Sequence, residues 1–249
     1  MRDTWWARLA EGVSTVLDAL MPAPCVACGR AGAAFCEACI AAIPPVPPPG
    51  CDWCGRSLGT TPACSPPIPR ATCDGCVGAR PATPKTRSAG AYDGVLRTAI
   101  HAFKYRDRPD AARALASLLV APAREVLRGA TGIIVPVALH PARTGERGYD
   151  QSALLSRHLA DATGWDRANA VARARATPSQ IGLGRAARFA NVAGAFRALQ
   201  RLDRQVVILV DDVTTTGATL ADAARACRAA GATEVVAVTL AHDLPVGRP

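Results

Sequence analysis

The run Val206-Val207-Ile208-Leu209-Val210 constrains this chain most. Five apolar residues in succession, four of them β-branched, predict a strand buried on both faces, as at the centre of a parallel sheet. Two carboxylates, Asp211 and Asp212, stand where that strand is expected to end. Val213, Thr214, Thr215, Thr216, Gly217, Ala218 and Thr219 follow, and helical spacing resumes from Leu220 to Cys227. Open α/β sheets bind ligands just outside the carboxyl ends of their strands. A glycine-bearing turn that enters a helix N-terminus offers backbone N–H groups and a positive dipole to a phosphate. The threonine hydroxyls add donors, and Gly217 lets the chain approach the anion closely. Asp211 and Asp212 have the wrong charge for that phosphate, so they are expected to hold sugar hydroxyls, directly or through a divalent metal. The segment predicts a pocket for a ribose 5-phosphate.

An apolar strand ending in two acids also occurs in nucleoside triphosphatases, where it accompanies a loop ending Gly-Lys-Ser or Gly-Lys-Thr. The two lysines of this chain, Lys85 and Lys104, follow Pro84 and Phe103, which excludes that class. Helix capping alone needs one acid, not two acids and a hydroxyl-rich turn.

Nine of the ten cysteines lie between residues 25 and 76, and eight form Cys-x-x-Cys pairs: Cys25/Cys28, Cys36/Cys39, Cys51/Cys54 and Cys73/Cys76. A disulfide framework needs an oxidising compartment, and Asp3 and Glu11 interrupt any export-signal pattern at the N-terminus. Thiolates two residues apart suit a tight turn that aims both sulfurs at one zinc. Cys25-Val26-Ala27-Cys28-Gly29-Arg30 and Cys51-Asp52-Trp53-Cys54-Gly55-Arg56 are near-repeats, so the region reads as a duplicated four-cysteine ribbon. The simplest assignment puts one zinc on the first four cysteines and a second on the last four, with an interleaved cross-brace as the alternative. Cys64 reads as a spare thiol, and Cys227 as a small core residue.

Three segments follow from these patterns: an N-terminal amphipathic helix over 1–22, the double ribbon over 23–80, and an α/β domain over 88–249. The stripe of Trp5, Leu9, Val13, Val16, Leu17 and Leu20 is expected to pack on the protein itself rather than on lipid. Residues 77–87 read as a linker. Helices are predicted near 94–104, 108–128, 150–163 and 217–230, and strands near 88–92, 132–137, 169–172, 206–210 and 234–240. Their alternation implies a parallel sheet. No run of about 18 apolar residues appears, so no transmembrane segment is expected. The net charge of +9 rests on arginine and does not by itself establish a nucleic-acid partner.

Residues 207–219 resemble the phosphoribosyl pyrophosphate (PRPP) signature of the type I phosphoribosyltransferases. Taken in order, Cys25 to Cys76, His101-Ala102-Phe103-Lys104-Tyr105, Val135 to His140, Arg147-Gly148-Tyr149-Asp150-Gln151, Arg185 to Asn191 and the PRPP loop resemble the ComF-type proteins. The resemblance implies a type I phosphoribosyltransferase fold behind a zinc-ribbon module, in a cytoplasmic bacterial protein. It implies that Asp211, Asp212, Lys104, Arg185 and Arg188 serve transfer from PRPP with Mg²⁺, and that Thr214 to Thr219 hold the 5-phosphate. Val137 and Ala138, with Arg143 and Arg147, would hold pyrophosphate, and Arg185 to Asn191 would form a mobile loop closing over substrate. Lys104 reads equally as a surface lysine, and these arginines equally suit a nucleic-acid backbone. A role in DNA uptake is implied too, with single-stranded DNA and proteins of the uptake machinery as partners. The alternative is a non-catalytic PRPP sensor or DNA-binding protein. Two departures stand out: Ala138 in the pyrophosphate loop, and Asp150 where the family has Asn.

Overall fold

The computed structural model describes residues 23–58, 72–77, 83–140, 145, 148–177 and 184–243. The proposed N-terminal helix, Cys64, Arg143 and Arg147 lie outside them.

Among the described residues, six strands form two sheets. β1 (Lys85–Ala91), β2 (Ile133–Pro136), β5 (Val206–Thr214) and β6 (Glu234–His242) make a four-stranded sheet of order β1-β6-β5-β2. All three pairings in it are parallel. β3 (Val171–Arg173) and β4 (Phe196–Ala198) form a separate antiparallel pair. Ile208 and Val210 enter one core cluster with Leu96, Phe103, Leu155 and Val236, while Val207 and Leu209 enter another with Val135, Leu220, Cys227 and Val235. Alternate side chains of β5 therefore serve two cores, which is why its sequence is apolar without alternation. β5 runs past Val210 to Thr214, because its pairing with β6 continues from Asp211↔Thr239 to Thr214↔His242. The two acids lie within the strand, not beyond it.

The helices in order are α1 (Glu37–Ala41), α2 (Asp74–Val77), α3 (Gly94–Tyr105), α4 (Ala112–Ser117), α5 (Val120–Leu127), α6 (Gln151–Thr163), α7 (Arg185–Val192) and α8 (Ala218–Ala229). The single helix expected over 108–128 is instead a 3-10 turn at Pro109–Ala111 followed by α4 and α5. Pro122 explains the break. It has no N–H for the Leu118 carbonyl, and its ring crowds that carbonyl. Leu118 and Leu119 instead donate to Leu115 and Ala116, three residues back. Helix α7 replaces the expected mobile loop over 185–191, and β4 had no sequence signal strong enough to predict it.

The first cysteine unit shares the main core: Cys25, Val26, Phe35 and Cys39 belong to the cluster of Leu96, Phe103 and Leu155. The second unit is tied to β1, where the Trp53 indole donates to the Thr83 carbonyl and Thr86 N–H donates to the Trp53 carbonyl. Cys227 is fully buried on α8, and burial pushes its thiol up to about 12, as suits an inert core residue.

Candidate functional site

Lys104, Asp211, Asp212, Arg188 and the threonine turn meet at the carboxyl end of β5. Asp212 is 8% exposed and accepts an ion pair from Lys104 Nζ at 2.7 Å. Lys104 closes α3, so the expectation of a possible surface lysine is corrected: its side chain is largely covered. Burial disfavours its ammonium, but Asp212 and, behind it, Asp211 outweigh that and hold its pKa above the ordinary lysine value. Asp211 accepts from Ser152 Oγ at 3.2 Å and from the Asp212 N–H at 2.9 Å. Burial and the adjacent Asp212 charge push its carboxyl up to about 7. Two carboxyls compete for one cation here, an arrangement that sugar hydroxyls or a divalent ion at their open side would relieve.

Tyr149 joins two of the motifs. Its hydroxyl donates to the Phe103 carbonyl, one residue before Lys104, and its ring lies 5.6 Å from that of Phe103. Asp150 caps α6, accepting from Ala153 N–H at 3.0 Å, and its other oxygen accepts from Leu139 N–H at 2.9 Å. Its negative charge is spent on a helix N-terminus and on the loop after β2. In that loop Val137 N–H is also committed, donating to the Val210 carbonyl at 2.9 Å. Of the predicted pyrophosphate loop, Val137 and Ala138 thus sit beside β5, with two neighbouring amides already engaged; Arg143 and Arg147 lie outside the described residues.

After Thr214 the chain turns through Gly217, whose φ of +77° is open to glycine without strain, and enters α8. Gly217, at the N-cap, has no side chain to offer, the Thr216 hydroxyl accepts from Ala218 N–H at 3.4 Å, and no acid stands in the first turn. Arg188 Nη1, on α7, donates to Thr215 Oγ1 at 2.6 Å. Arg185, one turn earlier, points elsewhere: its Nη2 donates to the Gly75 carbonyl at 2.6 Å and its guanidinium lies over Phe189. So Arg188 reaches the threonine turn, while Arg185 docks on the second cysteine unit.

The cysteines form two tetrads in sequence order, Cys25/Cys28/Cys36/Cys39 and Cys51/Cys54/Cys73/Cys76, with all sulfurs of each within 4.8 Å of one another. The sequential assignment holds over the cross-brace. Tetrahedral zinc–thiolate geometry needs sulfurs about 3.8 Å apart, and Cys28–Cys36 and Cys54–Cys73 are each at 3.7 Å. Gly29 and Gly55 take left-handed φ of +74° and +72°, closing each turn with an N–H donated to the Cys25 or Cys51 carbonyl. N–H groups of Cys36 and Cys73 point at the Cys25 and Cys51 sulfurs. Burial works against the Cys25 thiolate, yet the N–H groups of Cys28, Cys36 and Ala27 outweigh it and bring it down to about 6. Burial and neighbouring thiols push Cys39 up to about 12, so four thiolates together need a cation. Both tetrads can hold a metal ion.

Ser152 and Tyr149 escaped the sequence reading. Tyr149 lay inside a quoted motif but carried no signal of its contacts, and only the fold brings Ser152 to the site.

The parallel sheet flanked by helices, the acids on its inner strand β5 and the twin tetrads make this an α/β protein with an N-terminal cysteine-rich module. No model of a known protein family matches the chain. It is 36% identical over 166 residues to the DNA utilization protein YhgH of Salmonella typhi, covering 63% of this chain and 71% of that protein. It is 36% identical over 162 residues to YhgH of Escherichia coli K12, covering 61% and 70%. Competence protein F of Haemophilus influenzae is 32% identical over 166 residues, covering 62% and 71%. The chain belongs to the ComF family. Among solved structures, a glutamine PRPP amidotransferase from B. subtilis matches at 22% identity and a TM-score of 0.38, covering 56% of this chain and 30% of that one. Among the described residues no helix is long and apolar enough to cross a membrane.

Proposed function

We propose that this protein binds PRPP with Mg²⁺ at the end of β5 and acts as a cytoplasmic phosphoribosyltransferase in the use of incoming DNA. The observation that carries the reading is the run of groups at that strand end: Asp211 and Asp212 beside Lys104, then the threonine turn and the N-terminus of α8, free of acids in its first turn. Asp211 and Asp212 hold the ribose hydroxyls while positive charge develops at the anomeric carbon. Thr215 to Thr219 hold the 5-phosphate through hydroxyls and the helix amides. Asp211 and Asp212 would hold Mg²⁺ with the sugar, and the ion would supply positive charge to the departing pyrophosphate. The role in DNA use is supported by the names of the relatives and by the charge of +9.

PRPP with Mg²⁺ is expected to raise the thermal midpoint of the full-length protein by mass action. Pyrophosphate release across a panel of nucleobases and amines then separates catalysis from binding alone. Release with one acceptor establishes the transferase, binding without release favours a PRPP sensor, and no binding overturns the reading.

A further inference from the structure

Helix α7 carries Arg188 to the threonine turn, yet little of that helix is packed away. Of its eight residues only Val192 is buried. Its C-terminal end is fixed by Val192 and by Arg175, whose Nη2 donates to the Asn191 and Ala193 carbonyls at 3.0 and 2.9 Å. Its first turn is held by arginine donors, Arg188 on Thr215 Oγ1 and Arg185 on the Gly75 carbonyl. Gly75 lies on α2, between Cys73 and Cys76 of the second tetrad. A Cβ there would stand 2.6 Å from the Arg185 guanidinium carbon and 2.7 and 2.9 Å from its terminal nitrogens. Glycine at position 75 is therefore demanded by the close approach of Arg185. That side chain also lines one cleft with Cys54, Cys73 and Cys76. Four thiolates on one zinc leave two net negative charges, which attract a guanidinium.

We infer that the second cysteine unit is a latch for α7: the tetrad fixes Gly75, Gly75 holds Arg185, and Arg185 sets the helical turn that brings Arg188 to Thr215. Arg185 is then a positioning residue rather than a substrate ligand. With metal bound, Cys73 and Cys76 are tied to one ion, so the carbonyl between them is held in place. The Arg188 donor on Thr215 Oγ1 leaves that hydroxyl its own hydrogen to donate. The inference rests on the reading of the threonine turn as the phosphate holder, and it gives the metal module a part in ligand binding besides its own folding.

Two measurements on the full-length, zinc-loaded protein test this: calorimetric titration with PRPP and Mg²⁺, and limited trypsin digestion without ligand. Gly75→Ala displaces the guanidinium and keeps all four cysteines. It is expected to weaken PRPP roughly tenfold at unchanged zinc content, and Arg185→Ala to the same extent. The double variant should be no weaker than either single one, because both remove the same contact. Arg185→Lys, which still offers a donor to the carbonyl, should regain most of the loss. Trypsin should cut after Arg188 severalfold faster in both single variants than in the wild type, as α7 opens locally. Full affinity in Gly75→Ala beside poor binding in Arg185→Ala makes Arg185 a substrate ligand and overturns the inference. Unchanged affinity in both, additive losses in the double variant, or an unchanged cutting rate at Arg188 also overturn it. If Gly75→Ala loses zinc, the cutting rate at Arg188 in Arg185→Ala decides. A wild type that does not bind PRPP refutes the function proposed above. The latch is then judged on trypsin alone, where faster cutting in both variants upholds it and an unchanged rate refutes it.

Discussion

The acid pair at residues 211 and 212 is split by its surroundings. Asp212 has Lys104 and Asp211 has the Ser152 hydroxyl; burial and the neighbouring Asp212 charge outweigh that hydroxyl and push Asp211 up, to about 7 from 3.8. Between those two values the folded state binds more protons at this group than the unfolded chain, so its ionisation lowers stability as pH rises through that window. Asp211→Asn removes the penalty. Its thermal midpoint without ligand should exceed that of the wild type at pH 8, and the gap should shrink as pH falls toward about 4; a gap of constant size would refute the assignment. The same variant should lose most of its stabilisation by PRPP. Asp212→Asn behaves differently, because it leaves the covered Lys104 ammonium without a partner. It should lower stability by roughly 1–3 kcal/mol in denaturant titration.

At the scale of elements, hidden polar contacts set how short pieces are held. Asp222 on α8 accepts N–H groups of Gly194 and Phe196 and the guanidinium of Arg225, fixing β4 to α8. Burial opposes its charge, but Arg225 and those two N–H groups outweigh burial and hold its carboxyl below the ordinary range. Asp222→Ala should cost about 2–4 kcal/mol in denaturant unfolding, since it strands two backbone donors. Each cysteine tetrad closes its own loop, so purified protein should carry close to two zinc ions by elemental analysis. Cys36→Ser and Cys73→Ser should each lower zinc occupancy of one tetrad only, whereas a cross-brace would couple them.

Across the whole molecule, the first cysteine unit is not a separate bead on the α/β domain. Its Cys25, Val26, Phe35 and Cys39 are built into the main core, and the second unit is fastened to β1 and, through Arg185, to α7. Metal removal should therefore lower the stability of the entire protein in one cooperative thermal transition. Two separate transitions after chelation would show that the units fold independently. If the basic surface serves DNA, single strands should bind the full chain with affinity that falls steeply as salt rises. Absence of binding at low salt would remove that role.

Much of this was legible in the chain because it depends on local pattern. The β-branched run at 206–210 can bury both faces only in the middle of a sheet, and four evenly spaced cysteine pairs have few uses other than metal. The order of motifs placed the chain in its family. Other features required the third dimension. The length of β5 was set by its partner β6, and the fate of 108–128 by the absent N–H of Pro122. That Arg188 meets the threonine turn while Arg185 meets Gly75 depends on how α7 lies between them. Periodicity and spacing determine what a segment can form, because they act over a few residues. Which side chains share a cleft depends on contacts between segments distant in sequence, and only the packed fold decides them.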